Sequence, residues 1–252
     1  MRTRVILFFF VAASVLASCT HKEISGNDPD KLFSEAEEEF KDERYLQAIE
    51  RYRDLKNRFP YSSRATDAEL RIADAYFDEG AYLEAESAYE VFKELHPTHP
   101  RSDYVQYKIA LSYFNEVPDN TARDLSAAYK AIENFNILLE KFPSSEFSEK
   151  GKDFLQQVRK KLAEHEDYVA DFYYSRRHYL SASYRYAALL KDYSALGYDE
   201  EALYRLGVCY YHIHMFGNAK DAFRRFLEQF PKSSSRADVD KLLETISKTK
   251  TN

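Results

Sequence analysis

The chain has 252 residues and a formal charge of −6, with 42 Asp and Glu against 36 Lys and Arg. That balance lacks the basic footprint of a general nucleic-acid binder. Six glycines form no phosphate-cradling loop, no HExxH or Gly-x-Ser-x-Gly string occurs, and two cysteines allow one disulfide at most.

In chain order, Arg2 and Arg4 precede an apolar run from Val5 to Ala17, too short to span a bilayer. The run ends in Leu16-Ala17-Ser18-Cys19, which resembles a bacterial lipobox. That resemblance implies removal of residues 1–18, diacylglycerol on the Cys19 thiol and acylation of the new amine. An ordinary secretory peptide with an incidental cysteine is the alternative. Several acyl chains on one residue anchor stably, each buried methylene adding about 0.8 kcal/mol. Thr20, rather than Asp, follows Cys19, and by analogy with lipoprotein signals this points to outer-membrane sorting. With Cys19 acylated, Cys209 has no partner for an intramolecular disulfide and reads as a small core residue.

Residues 19–29 are polar, lack aromatics and contain Gly26 and Pro29, as expected of a tether. A helical repeat follows. Ala48, Ala85, Ala131, Ala182 and Ala219 each have an aromatic four residues on: Tyr52, Tyr89, Phe135, Tyr186 and Phe223. Twelve residues on stand Pro60, Pro97, Pro143, Ser194 and Pro231, so only the fourth copy lacks the proline that ends its helix. The fifth copy also carries Leu203, Leu206, Gly207 and Tyr210, one stripe of a preceding helix. Gly207 lets the second helix come close and Phe223 fills the space beside it. This is the tetratricopeptide pattern. The expected fold is all-α: a superhelix of five hairpins in which each hairpin buries its apolar face on its neighbours.

The first hairpin pairs residues 30–42 with 45–58, and its weaker first helix suits a terminal repeat. The acidic run Glu35, Glu37, Glu38 and Glu39 reads as a solvated helix face. The third repeat carries nine extra residues around Asn115–Arg123, a loop by composition. Pro143 to Tyr173 spans 30 residues where earlier repeats span 16, with no proline between Ser144 and Arg177. The extra length is close to four helical turns. It predicts one long helix from about Ser145 to Tyr174, bridging three N-terminal repeats (30–144) and a C-terminal part (145–248) with two repeats and a capping helix. Residues 249–252 are expected to fray. His212 and His214 point in different directions on a helix and make no metal pair. His96 and His99 flank Pro97 as a ligand pair or, more simply, as capping and packing residues.

Several local strings are more specific than the repeat. His96-Pro-Thr-His-Pro100 with Asp103-Tyr-Val-Gln-Tyr107, and Arg159-Lys-Lys-Leu-Ala163-Glu-His-Glu166 with Val169-Ala-Asp-Phe-Tyr-Tyr174, resemble segments of the BamD family of outer-membrane assembly lipoproteins. The last two are similar to the family's Arg-Leu-Ala-Lys-Tyr-Glu and Val-Ala-Glu-Tyr-Tyr strings on its bridging helix. The resemblance implies a non-enzymatic lipid-anchored subunit facing the periplasm, with no cofactor, metal, nucleic acid or small-molecule substrate. Its partners would be a BamA-like barrel subunit, docked on the C-terminal half, and unfolded outer-membrane β-barrel proteins. It also implies that Arg185 contacts the barrel subunit. Helical phase fits this, since Ala182 and Tyr186 face inward and Arg185 leans elsewhere. Two other readings of a tyrosine-rich repeat lipoprotein stay open: a scaffold coordinating cell-wall enzymes, and a glycan-binding surface protein.

Overall fold

The five Ala–aromatic pairs decide where the helices pack. In the computed structural model, which describes residues 28–120 and 123–249, all five alanines and all five aromatic partners are 0% exposed. Each pair lies on the second helix of a hairpin: α1 (Pro29–Lys41) with α2 (Tyr45–Arg58), α3 (Ser63–Asp78) with α4 (Tyr82–Leu95), and α5 (Ser102–Glu116) with α6 (Ser126–Lys141). The series continues with α7 (Ser148–Ser175) and α8 (Tyr179–Asp192), then α9 (Asp199–His212) and α10 (Phe216–Gln229), and closes with α11 (Arg236–Thr249). The described residues form eleven helices and no strand, an all-α tetratricopeptide stack.

Both ends of the hairpins have a recurring cause. Second helices stop at Phe59, His96, Phe142, Tyr193 and Phe230, whose N–H groups still reach back four residues. Proline then prevents continuation. Ser194 breaks the pattern, yet α8 still ends, because Ala195 and Gly197 take positive φ and the Ala195 N–H donates to the Asp199 carboxylate at 2.8 Å. First helices in four repeats end in one turn, in which the N–H of Arg44, Ala81, His178 and Met215 donates to the carbonyl five residues earlier. The residue before each donor is left-handed: Glu43, Gly80, Arg177 and His214. Only one of these four is the glycine such a cap favours.

Gly207 has the role its spacing suggests. A Cβ there would come within 2.3 Å of the Phe223 ring, so glycine sets the approach of α9 and α10. The long helix α7 has 28 residues and starts at Ser148 rather than near Ser145. Ser145 forms the preceding turn, its Oγ donating to Asp103 at 2.7 Å and accepting from the Phe147 N–H. The sequence reading divides the repeats at residues 144/145. The apolar cores meet further on, inside α7, with Val158 and Leu162 in one cluster and Ala163 and Ala170 in the next. Tyr193 packs against both clusters. Val117 and Leu125 are buried and pin the ends of the third-repeat insertion. In α11, Val239 and Ile246 are fully buried and close the stack.

The acidic run on α1 is not a solvated face. Glu35 and Glu39 pair with Arg51, Glu39 also takes Arg44, and Glu37 takes Arg71. Of the four, Glu38 is exposed and the other three are partly buried. Arg44 comes from the turn that follows α1, and Arg51 and Arg71 come from later helices, out of reach of a helix-by-helix reading.

Candidate partner-binding surface

Arg185 lies on α8 between two inward residues, Ala182 and Tyr186, and so projects from the stack. Its side chain is 45% exposed and its Nη1 donates to both oxygens of Glu166 on α7, at 3.1 and 3.3 Å. Glu166 is only 12% exposed. Near the pair, Tyr184, next to Arg185 on α8, and Tyr129 on α6 expose large side chains. Tyr193, beside Glu166, is pushed up to about 12 by burial and by its contact with Tyr129. A half-exposed arginine with exposed tyrosines nearby is the composition enriched at protein interfaces.

A second polar arrangement binds successive repeats and was not anticipated from the sequence. Tyr52 donates to Glu37, fifteen residues earlier, and Arg71, thirty-four residues after Glu37, grips that carboxylate at 2.6 and 2.9 Å. In the fourth repeat Tyr186 donates to Asp171 at 2.5 Å, and Arg205 donates to both. Tyr89 and Tyr104 both donate to Asp74 at 2.7 Å in the second. There Lys108 holds its charge 3.3 Å from the centroid of Phe77 and pairs with Asp78 at 3.9 Å. Each acid belongs to a first helix, Tyr52, Tyr89 and Tyr186 to the second helix of that hairpin, and each cation, with Tyr104, to the first helix of the next repeat. The signal is in the sequence as a fixed offset, legible only once the repeat frame is known.

These groups titrate as their neighbours dictate. Burial opposes ionisation of Glu37, but hydrogen bonds from Arg71 and Tyr52 hold it below the usual carboxylate range. Burial, then the hydrogen bond to the acid, pushes the phenols of Tyr52 and Tyr186 well up. Burial and then Asp171 push Asp167 up to about 6. Burial pulls Lys108 down.

The remaining sequence candidates divide. Cys19 lies outside the described residues. Burial pushes the Cys209 thiol up to about 12, as for an unreactive core residue. His96 bonds Glu69 at 2.6 Å, His99 accepts the Arg101 N–H, and both rings pack on Phe92, which is the capping and packing role. His212 stacks on Tyr179 at 4.2 Å while His214 sits in the next turn. Among the described residues no group of three or more His, Cys, Asp or Glu is placed to hold a metal ion.

Comparison with known proteins adds the family. The outer membrane lipoprotein model, YfiO, matches residues 25–216, and a tetratricopeptide model matches residues 201–233. The chain belongs to the YfiO family of outer membrane lipoproteins. An outer membrane protein assembly factor BamD of Neisseria gonorrhoeae is 32% identical over 213 residues, covering 81% of this chain and 80% of the relative. The BamD of Xylella fastidiosa strain 9a5c is 30% identical over 95 residues, 38% of this chain and 32% of the relative. Among solved structures, the TPR2AB domain of yeast Sti1 aligns with a TM-score of 0.43 at 14% identity, covering 87% of this chain and 98% of that one. The repeat pattern and the helices themselves carry the fold assignment.

Proposed function

We propose that this YfiO-family protein is a non-enzymatic lipoprotein subunit of an outer-membrane β-barrel assembly machinery. The observation that carries the reading is the match to an outer membrane protein assembly factor over four fifths of both chains. In this reading Cys19 is acylated and anchors the protein to the outer membrane, facing the periplasm. The repeats bind a BamA-like barrel subunit and unfolded barrel proteins on their way to insertion. Arg185 meets a carboxylate of the barrel subunit. Its exposed guanidinium edge and the flanking tyrosines support that role, because a guanidinium can take a second carboxylate by a charge-assisted pair.

The test is a mild-detergent pull-down of the tagged full-length protein. A stoichiometric outer-membrane barrel with periplasmic repeat domains is expected. Cell-wall enzymes or glycan-uptake proteins in its place would overturn the function and leave the fold untouched. Arg185→Glu is expected to reduce the recovered barrel subunit about tenfold or more with helicity unchanged, and unchanged recovery would remove Arg185 from the interface. Cys19→Ala is expected to release the protein from membranes; retention in the membrane fraction would contradict acylation.

A further inference from the structure

The turns that end the first helices share one edge of the stack, and the charge of that edge reverses along the chain. In the first repeat it carries Asp42 and Glu43 beside Lys41 and Arg44, and in the second Asp78 and Glu79 with no adjoining cation in the turn. In the last two it carries Arg176, Arg177 and His178, then His212 and His214, all exposed. No Asp or Glu occurs between Asp171 and Asp192, or between Glu201 and Asp221. The two C-terminal turns are joined sideways by the ring stack of Tyr179 on His212 at 4.2 Å. Arg176 lies over Phe172 at 3.6 Å and bonds its carbonyl, which fixes a cation above an exposed ring. Leu180 and Met215 add exposed apolar surface beside it. Arg177 and His214 hold left-handed backbone that glycine would occupy without strain.

We propose that this C-terminal edge is a docking surface for an acidic segment of a protein partner, separate from the Arg185 face. Charge complementarity selects the occupant. An anionic bilayer lying along the edge would also meet Asp42, Glu43, Asp78 and Glu79, and be repelled there. A second copy would have to offer its own acidic turns, in which Asp42 already pairs with Arg44 at 2.8 Å. A peptide spanning only the last two turns meets Arg176, Arg177, three histidines and apolar side chains, and no carboxylate of either turn. It gains charge-assisted hydrogen bonds from Arg176 and Arg177 and contact with Phe172 and Met215.

The experiment places a photo-reactive amino acid at Leu180 or Met215 of the full-length lipoprotein in its own membranes. The adduct is then mapped to a peptide by mass. Expected is a protein adduct whose linked peptide has more Asp and Glu than Lys and Arg. Yield should fall about tenfold or more in the Arg176→Glu/Arg177→Glu variant and also fall as salt is raised. The Arg176→Lys/Arg177→Lys variant should keep most of the yield, which separates lost charge from lost folding. Lipid adducts alone, an adduct to a second copy, a linked peptide without acidic excess, no adduct, or a yield indifferent to charge reversal would each overturn the proposal.

Discussion

The first and fourth hairpins hold the same acid–tyrosine–arginine contact in surroundings of different charge. In the first, Glu37 lies between Tyr52 and Arg71, while Arg51 takes Glu35 and Glu39. In the fourth, Asp171 and Glu201 share Arg205, and half-buried Asp167 lies beside them with no cation of its own among the salt bridges of the described residues. One carboxylate is therefore held below its ordinary range and the other pushed up to about 6. The repeat frame fixes where the three groups meet. Which neighbours surround them fixes how they titrate.

The largest way to break the comparison is at the helix contacts rather than the polar clusters. At Gly207 even a Cβ meets the rigid Phe223 ring, whereas at Gly151 it meets the movable end of Leu138 at 2.8 Å. Gly207→Val is expected to destabilise the protein by about 3 kcal/mol, at the upper end of overpacking costs. Gly151→Ala should cost about 1 kcal/mol, because a leucine tip can move aside. Urea unfolding of the two variants checks the order.

A smaller effect tests the polar contact itself. Tyr186→Phe removes a hydroxyl that donates to Asp171, and a loss of about 1 kcal/mol is expected. The reverse change, Phe135→Tyr, buries a hydroxyl in the third repeat, where the insertion shifts the frame and the equivalent first-helix position is Leu111, not a carboxylate. It should cost about 2 kcal/mol. Equal losses in the two variants would mean that the phenol–acid bond contributes nothing particular.

The smallest effect is in pH dependence, where the two regions should have opposite slopes. Asp167 unfolded titrates near 3.8 and folded near 6, so between those values the folded state binds more protons. Its contribution is most favourable at low pH and is lost as pH rises through about 6. Glu37 is depressed when folded, so its contribution is present above the ordinary 4.5 and is lost as pH falls. Asp167→Asn should therefore gain stability relative to the parent at about pH 7, with the gap narrowing at about pH 5 and closing only below the unfolded value. Chemical denaturation at both values reads the sign, and a gap that widens towards pH 5 would contradict the assignment.

Much of the stack was legible because a repeat states its own packing. Ala182 and Tyr186 recur at a fixed interval with Ala48 and Tyr52, and both pairs are fully buried. Pro60, Pro97, Pro143 and Pro231 follow the ends of second helices, and the continuous run after Pro143 marks the long helix. The polar candidates were less legible. Glu35, Glu37 and Glu39 read as a wet helix face, and Arg71 meets Glu37, and Arg205 meets Asp171, only across thirty-four residues of chain.

By itself, then, the sequence determined the all-α class, the five hairpins, the long α7 and the outward lean of Arg185. These follow from local rules: side-chain period on a helix, the proline that stops it and the glycine that admits a ring. Tertiary structure alone decided that the cores meet inside α7, that Glu166 takes Arg185, and that charge reverses along the turn edge. Each of these depends on side chains from different helices arriving at one place. Outside the acid–tyrosine–cation contact that recurs with the repeat, an ion pair such as Glu166–Arg185 has no period, and the chain distance between its members depends on how many residues the intervening turns consume.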